Sequence, residues 1–514
     1  MKITGKRQSH IFAEIIKTIL RVIITVVAFT AQTAFYYFLI LGIRKLWFVQ
    51  LALAILGVII VFVLYRKNVN SAYKLSWTIF ILAFPFVGTV CYILFGGGHA
   101  LPRRKMKKIR ALYEDRIPSS DEAFYNLSRL DSRGAMIARA LNKASRLALY
   151  ENTQAEFFPT AKEKHESLLR DIENAKEYIF IEYFIISDGF VLESIISALE
   201  KKGREGVKIK FIYDDVGSKK ALKRSTKKRL ARIENLELCV FEPVGAIINP
   251  RINYRDHRKI VVIDGSIGYI GGDNLADEYI GRLVKYGKWR DNAMRLYGDA
   301  VYSLQLIFAE SWFLACGEKL DFKKYEKSET KSDGFILPFG DGPTNPYNPA
   351  HTLFESLVTA STKYLYISTP YFIIDNAFIN LLCLSARSGV DVKLLVPHKP
   401  DKKLIFAITR GHYGELLKAG VKIYEYSPGF NHAKNIIVDD EYAFIGTVNC
   451  DYRSLMLHFE NGAFLAKNSQ IEKMRADFER AIDESEIITL EKWKRRSLFT
   501  KITEVALSFL APLL

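Results

Sequence analysis

Cysteine is scarce in this chain of 514 residues, and its few thiols show no paired spacing. They are Cys91, Cys239, Cys316, Cys383 and Cys450. The pattern argues against a secreted disulfide scaffold and against a zinc ribbon. A reducing compartment that faces the cytosol is the simpler interpretation for the folded part.

Signatures of bound metals and nucleotides are also missing. The sequence contains no HExxH or CxxC motif, no Walker-type loop and no GxGxxG loop. We therefore expect no cofactor and no metal. Acidic residues are in deficit, with 56 against 73 basic ones, so the net charge is +17. Apolar residues make up 49% of the chain, which excludes a disordered or low-complexity protein.

Charge is absent from three long hydrophobic runs near the start of the chain, residues 22–43, 46–65 and 75–95. Each is long enough to cross a hydrocarbon core of about 30 Å as a helix. A cleaved signal peptide would have a shorter run and a small-residue cleavage site, and neither is present. Residues 1–99 are therefore predicted to be a multi-pass anchor of two or three transmembrane helices in the plasma membrane.

The orientation of this anchor stays open. If all three runs cross, the flanking basic residues are balanced between the two sides. The dense basic cluster within residues 103–110 favours a cytoplasmic catalytic part. The first run could instead lie in the membrane interface.

The rest of the chain alternates strand-like and helix-like segments, and the pattern occurs twice. His257-Arg258-Lys259 followed by an apolar run and Asp264 matches His432-Ala433-Lys434 with Asp439, at an offset of 175 residues. We predict the α/β class: a duplicated domain with two mixed sheets flanked by helices and a pseudo-twofold axis. The predicted boundaries are a connector at 100–155, a first domain at 156–330, a second at 331–490 and a basic and apolar C-terminal helix at 491–514.

The repeated pattern is longer than these matches alone. It reads H-x-K-x4-D-x6-G-x2-N and ends at Asn274 in one copy and at Asn449 in the other. At about 5% usage of each residue type, even one chance match in the chain is on the order of one in ten thousand. The candidate catalytic residues are therefore His257, Lys259, Asp264, His432, Lys434 and Asp439.

These residue types suit phosphoryl chemistry. A spacing of two puts the histidine and the lysine of each copy on one face of a strand. If the copies meet about a twofold axis, two ammonium groups and two amides can bind a phosphate, and the phosphate-binding candidates are Lys259, Asn274, Lys434 and Asn449. One imidazole can attack phosphorus and form a phosphohistidine while the other transfers protons. Internal symmetry alone does not decide which histidine is the nucleophile and which one transfers protons.

The paired motif resembles the phospholipase D superfamily over roughly residues 155–490. Flanking segments resemble the bacterial cardiolipin synthases in particular; they are 253–259, 271–274, 277–279, 289–291, 428–434 and 449–454. Residues 77–96 are similar to that family's N-terminal membrane anchor. His458 departs from the resemblance, since the family usually has Asn two places before the Glu.

The resemblance implies that acidic partners orient the imidazoles, with Asp291 as the candidate for His257 and Glu460 as the candidate for His432. A surface salt bridge is the alternative for either carboxylate. Asp264 and Asp439 are expected to support the site without transferring protons. The superfamily commonly uses the N-terminal histidine as nucleophile, so His257 is predicted for that role, with His432 as the acid and base.

The implied reaction is phosphatidyl transfer between two phosphatidylglycerol molecules, giving cardiolipin and glycerol. Phosphatidylglycerol and the anionic bilayer are the expected partners, and no nucleic acid is expected. Residues 498–514 lie in the membrane interface or form a packing helix. The alternatives are a membrane phospholipase D or phosphatidylserine synthase with another acceptor, a nuclease, and a non-catalytic scaffold. The sequence leaves the oligomeric state undetermined.

Overall fold

The structure is a computed structural model that describes residues 30, 33–34, 37, 47–67, 70–96, 109, 111–243, 253–345 and 347–510. These residues divide into two compact units, one within residues 1–99 and the other within 100–511. The first predicted hydrophobic run, 22–43, lies almost wholly outside the described residues. So do the basic residues of the cluster at 103–110.

The N-terminal unit contains three helices, α1 (Trp47–Arg66), α2 (Ser71–Ala83) and α3 (Pro85–Phe95). The predicted run 75–95 is therefore two helices. The chain leaves helical geometry at Phe84 (φ −130°, ψ 72°), because Pro85 has no N–H to continue α2 and instead begins α3. Of the helices in the described part of the chain, none combines the length and the apolar character that a membrane crossing needs.

The first half of the larger unit is built on a seven-stranded sheet. Its strands are β1 (Thr153–Phe158), β2 (Tyr178–Tyr183), β3 (Lys208–Asp214), β4 (Leu236–Phe241), β5 (Lys259–Ile263), β6 (Ile267–Gly271) and β8 (Ala293–Gly298). Its helices are α4 (Asp121–Leu130), α5 (Ser132–Ser145), α6 (Ala161–Asn174), α7 (Phe190–Arg204), α8 (Asp215–Ser218), α9 (Arg224–Leu230) and α10 (Val301–Cys316). The strand order is β1-β8-β6-β5-β2-β3-β4, in which β2, β3 and β4 are parallel and the other pairs are antiparallel.

The second half repeats this arrangement. Its main strands are β9 (Phe335–Asp341), β10 (Tyr364–Ser368), β12 (Asp391–Pro397), β13 (Lys422–Tyr426), β15 (Asn435–Val438), β16 (Tyr442–Gly446), β18 (Glu460–Ala466) and β19 (Ser485–Ile488). Its helices are α11 (Pro349–Ala360), α12 (Asn376–Arg387), α13 (Lys403–Gly411), α14 (Tyr413–Ala419), α15 (Tyr452–Met456), α16 (Gln470–Asp483), α17 (Leu490–Lys494) and α18 (Leu498–Leu510). The order β19-β13-β12-β10-β15-β16-β18-β9 matches the first sheet strand for strand, with β19 added at one edge. The prediction of two mixed sheets from a duplicated domain is confirmed.

The motif strands β5 and β15 lie in the middle of their sheets, and both of their faces are covered. Every residue of β5 and of β15 is buried, and their β-branched side chains suit this position. Helix α10 packs on strands of both sheets, and its Trp312 is 2% exposed. One hydrophobic core therefore runs through both halves.

Short pairings link the two halves directly. Strand β7 (Lys288–Arg290) of the first half pairs in parallel with β14 (Gly429–Asn431) of the second. An isolated parallel bridge joins Asp256 to Phe459. A further small pair joins β11 (Phe372–Ile373) to β17 (Cys450–Asp451) within the second half.

Two features differ from the expectations from sequence. The predicted connector contains α4 and α5, which are packed into the larger unit: Leu127 and Leu141 are fully buried, and Arg133 donates a hydrogen bond to the Ala360 carbonyl. Amphipathic spacing alone did not reveal which core these helices cover. The structure also joins Cys239 of β4 to Cys316 at the end of α10 in a disulfide, a pairing that the spacing of the cysteines in the sequence does not indicate. Their Cα atoms are 6.2 Å apart although they are separated by 77 residues, a proximity that only the packing of α10 on β4 creates.

Candidate active site

Each motif histidine is anchored by the opposite half of the molecule. The backbone N–H of His257 donates to the Phe459 carbonyl at 2.8 Å, beside the bridge at Asp256. The backbone N–H of His432 donates to the Arg290 carbonyl at 2.7 Å, at the end of the β7 and β14 pair. Both imidazoles therefore lie at the junction of the halves.

This anchoring decides which carboxylate faces which imidazole. Nδ1 of His257 lies 2.9 Å from Oε2 of Glu460, and Nδ1 of His432 lies 2.6 Å from Oδ2 of Asp291. The predicted carboxylates are present, but the predicted pairing, Asp291 with His257 and Glu460 with His432, is wrong. Since Phe459 and Arg290 are the anchors, the acidic residue that follows each anchor reaches the histidine of the other half.

The motif lysines lie beside the histidines, but the two residue types do not share a strand face as predicted, because β5 begins at Lys259 and β15 begins at Asn435. Nζ of Lys259 donates to the His257 carbonyl at 2.6 Å, and Nζ of Lys434 donates to the His432 carbonyl. Burial lowers the pKa of Lys259 to about 8 and that of Lys434 to about 7, and the positive charge of Lys259 contributes to the second shift. The two ammonium groups are thus close enough to repel each other, and a bound anion would relieve that repulsion.

The imidazoles are neutral in the unliganded site. Burial lowers the pKa of His257 to about 3, although the Glu460 carboxylate opposes the shift. Burial, then the charges of Lys434 and Lys259, lowers the pKa of His432 well below its ordinary value. Each ring therefore has one N–H, and its carboxylate contact assigns that proton to Nδ1. The other nitrogen, Nε2, is left with a lone pair.

The two carboxylates differ in their ionisation. Burial raises the pKa of Asp291 to about 6, against the opposing charge of Lys434. Burial also acts to raise the pKa of Glu460, but the contacts with His257 and then His458 outweigh it, and the net shift is downward. Glu460 is therefore ionised at any pH the protein meets, while Asp291 titrates slightly below neutrality.

The motif asparagines occupy equivalent positions with different contacts. Oδ1 of Asn274 accepts from the Ile185 N–H at 3.0 Å, and its amide donates to the Tyr279 hydroxyl at 2.6 Å. Oδ1 of Asn449 is buried without a hydrogen-bond partner in the part of the chain that the structure describes. Asn274 is already held in place by the protein, whereas Asn449 has hydrogen-bonding capacity left for a ligand.

The motif aspartates are not at the site. The Asp264 carboxylate accepts from the backbone N–H groups of 176–178, and the Asp439 carboxylate accepts from those of 362–364. Both residues have left-handed backbones, with φ of 49° and 57°. Each lies at the far end of its strand, on the order of 20 Å along the chain from its histidine. Their assignment to the catalytic set is therefore corrected, while the expectation that they hold a turn agrees with these contacts.

Sequence reasoning did not assign Thr447, His458 or Tyr279 to the site, although His458 was noted as a departure from the family pattern. The Thr447 hydroxyl donates to Oε2 of Glu460 and so helps to keep that carboxylate ionised. The His458 ring lies 5.5 Å from that of His257, and the Tyr279 ring lies 5.5 Å from that of His432. The repeated pairs Asp291-Asn292 and Glu460-Asn461 signal the two predicted carboxylates, and no repeated pattern marks these three residues.

The arrangement can accommodate an anion between two neutral imidazoles, each oriented by a carboxylate and accompanied by a lysine. A cation is the other ligand to consider. Among the described residues, one group of side chains has donor atoms close enough together to hold a metal ion: His257, His458 and Glu460.

Comparison with known proteins identifies close similarity to one family. The family model described as "Cardiolipin synthase, PLD-like domain" matches residues 168–287 and again 354–482, and a model described as "Phospholipase_D-nuclease N-terminal" matches 52–97. The "Cardiolipin synthase" of Alkalihalophilus pseudofirmus is 36% identical over 473 residues, which cover 90% of this chain and 92% of the relative. The "Cardiolipin synthase 2" of Bacillus anthracis is 36% identical over 460 residues, which cover 88% and 89%.

A solved structure shares the fold. The crystal structure of the phosphatidylserine synthase of Haemophilus influenzae superposes with a TM-score of 0.57, covering 74% of this chain and 98% of that chain. The sequence identity is 14%, so this likeness concerns the fold alone.

Proposed function

The chain belongs to the cardiolipin synthase family of the phospholipase D superfamily, and we propose that it transfers a phosphatidyl group from one phosphatidylglycerol to another. The products are cardiolipin and glycerol. The observation that supports this most directly is the pair of neutral imidazoles, each hydrogen-bonded to a buried carboxylate of the opposite half, with the two motif lysines beside them.

The first half-reaction is an attack on phosphorus. Nε2 of His257 forms a bond to the phosphorus of phosphatidylglycerol, and the bond from phosphorus to the glycerol oxygen breaks. His432, protonated once the anionic phosphodiester has bound, gives its proton to the departing glycerol. The covalent intermediate is a phosphatidyl group on His257.

The second half-reaction reverses these steps with a lipid acceptor. A hydroxyl of a second phosphatidylglycerol gives its proton to His432 and attacks phosphorus, and the bond to His257 breaks. One phosphodiester replaces another, so no energy-rich donor is required. Glu460 stabilises the positive charge that His257 acquires, and Lys259 and Lys434 neutralise the phosphate oxygens.

His257 is the proposed nucleophile because its carboxylate is the one that stays ionised. A permanent negative charge on Glu460 stabilises a cationic phosphohistidine better than a carboxyl with a pKa of about 6 does. A carboxyl that titrates, as Asp291 does, instead suits a partner histidine that takes up and releases a proton. That is the role proposed for His432.

The test is turnover by the purified full chain in detergent–lipid micelles with phosphatidylglycerol as the only phospholipid. Cardiolipin and glycerol should appear in equal amounts, and both should vanish in His257→Ala. The matched control is His398→Ala, which removes another imidazole that faces a buried carboxylate, Glu425 at 3.1 Å. Phosphatidic acid with glycerol and no cardiolipin would mean that the acceptor is water, and the transfer proposal would fail.

The anionic bilayer is the proposed setting of this reaction, with the N-terminal helices crossing it and the larger unit on the cytoplasmic side. A surface on the larger unit supports contact with lipid. Helices α13 and α18 pack together and leave Leu404, Leu498, Phe499 and Ile502 between 60% and 80% exposed. Exposed basic residues adjoin this surface: Lys402, Lys403, Lys492, Lys494 and Arg495. Apolar side chains ringed by lysine and arginine are typical of binding to anionic membranes.

Quenching by brominated lipid tests this surface. A fluorophore on Phe499→Cys, in the full chain reconstituted in bilayers, should be quenched strongly by lipids brominated in their acyl chains. The control is Met136→Cys, at a residue of α5 that is 71% exposed and lies outside this surface. Equal quenching at both positions would contradict lipid contact at α18.

A further inference from the structure

An unusual cluster lies on one side of the His257 and Glu460 pair. Oε1 of Glu460, the oxygen that does not face His257, is buried and lacks a hydrogen-bond partner within the described ranges, and Nδ1 of His458 is buried in the same condition. These two atoms are 3.6 Å apart, which is too far for a hydrogen bond. The Glu460 side chain has no exposure at all, and that of His458 is 12% exposed.

Buried polar atoms without partners are costly, so this pair indicates a missing occupant. In the His458 tautomer with its proton on Nε2, an occupant between Nδ1 and the carboxylate oxygen must satisfy two lone pairs. A cation does this directly. One nitrogen of His257, one of His458 and one oxygen of Glu460 all lie within 4.8 Å of one another.

The donor set matches zinc better than other common divalent ions. Two imidazole nitrogens and one carboxylate oxygen are ligands that Zn²⁺ accepts, whereas Mg²⁺ and Ca²⁺ prefer oxygen ligands. Tetrahedral zinc with bonds of 2.0–2.1 Å needs ligand atoms about 3.3 Å apart, so modest side-chain rotation would close the site. A solvent molecule would complete the coordination, since the chain provides three ligands here.

We propose that His257, His458 and Glu460 form a reversible inhibitory Zn²⁺ site in the candidate active site. A metal ion on either nitrogen of His257 stops its chemistry. On Nε2 it occupies the lone pair that attacks phosphorus, and on Nδ1 it replaces the proton that His257 donates to Glu460. The nearby charges of Lys259 and Lys434 oppose a cation, so binding is expected to be weaker than at a structural zinc site.

The inhibitory part of this inference rests on the proposed phosphatidyl transfer, but metal binding does not. The first measurement is therefore Zn²⁺ binding by the full chain in neutral detergent without phospholipid, by competition with a chromophoric chelator. The wild-type chain should bind one more equivalent of Zn²⁺ than His458→Asn, which replaces the imidazole with an amide of lower zinc affinity. His398→Asn is the matched control, because His398 also faces two carboxylates, Glu425 and Glu486, outside the cluster.

The second measurement is cardiolipin formation against Zn²⁺ concentration. Zinc should inhibit the wild-type chain and His398→Asn equally, excess chelator should restore turnover, and His458→Asn should need at least about tenfold more zinc. Thermal unfolding of each variant checks that it is folded. Equal zinc binding by wild type and His458→Asn would overturn the site. If no variant forms cardiolipin, the proposed function fails while the binding measurement still decides the metal site.

Discussion

The two halves of the catalytic unit share a topology but hold their imidazoles in different surroundings. At the position after the motif glycine, the second half has Thr447, whose hydroxyl donates to Glu460. The first half has Gly272 there, and a Cβ at that position would lie 2.3 Å from Oδ1 of Asp291. Glu460 thus accepts a hydrogen bond from a hydroxyl, whereas Asp291 has the backbone of Gly272 packed against it.

A second asymmetry concerns the residue between histidine and lysine. Arg258 is fully buried, and its guanidinium donates to Ser311 at 2.7 Å and to the Glu460 carbonyl at 3.1 Å, whereas the second half has Ala433. Gene duplication gives two equal sites, and substitutions of this kind make them unequal. The comparison shows that a repeated motif can have one carboxylate that stays ionised, Glu460, and one that titrates, Asp291. The first suits a nucleophilic histidine and the second suits a histidine that transfers protons.

Removing either imidazole should have the largest effect and should distinguish their roles. His257→Ala and His432→Ala are each expected to lower kcat by about 10⁴-fold, because each removes a reacting group. With phosphatidylglycerol labelled in its phosphate, only His432→Ala should retain label on denatured protein. Label retained by His257→Ala instead would reverse the assignment of the nucleophile.

Neutralising either carboxylate should lower kcat less than removing an imidazole does, and the two losses should differ. Glu460→Gln is expected to lower kcat by about 10³-fold, because the charge that stabilises the phosphohistidine is lost. Asp291→Asn should cost less than this near pH 6, where half of Asp291 is already protonated in the wild type. Steady-state kinetics at pH 6 and pH 8 checks this, and equal losses at pH 6 would contradict the proposed asymmetry.

Removing the Thr447 hydroxyl should lower kcat by an intermediate amount. Thr447→Val keeps the shape of the side chain but removes the donor to Glu460, and kcat is expected to fall about tenfold, the equivalent of about 1.4 kcal/mol. Thr447→Ser keeps the hydroxyl and is the control. If Thr447→Val and Thr447→Ser have the same kcat, the Thr447 hydroxyl does not act through the Glu460 carboxylate.

The smallest expected effect is a shift in pH dependence. In the free enzyme, kcat/KM should fall below about pH 6, as Asp291 takes up a proton, and above about pH 7–8, as Lys434 and then Lys259 lose theirs. A bound phosphate favours the charged lysines, so the alkaline limb of kcat should lie at higher pH than that of kcat/KM. Coinciding alkaline limbs would mean that the lysines do not bind the phosphate.

Much of the fold and of the site could be predicted from the sequence because the signals are local. The spacing of two residues predicts that each lysine lies near its histidine, and the repeat at His432 predicts a second copy of the same sheet. The disulfide and the packing of α4 and α5 could not be predicted, because both depend on contacts between segments far apart in the chain. The effect of Pro85 on the third hydrophobic run is local, but the close return of α3 on α2 at Gly88 is not.

The sequence by itself determined the duplication, the two imidazole and lysine pairs, and the identity of both carboxylates. Only the tertiary structure decided that Glu460 serves His257 and Asp291 serves His432. The physical reason is that these partners meet through backbone pairing across the halves, at Asp256 with Phe459 and at β7 with β14. The order of residues along a chain records which groups are present, and the packing of the two halves selects which of them meet.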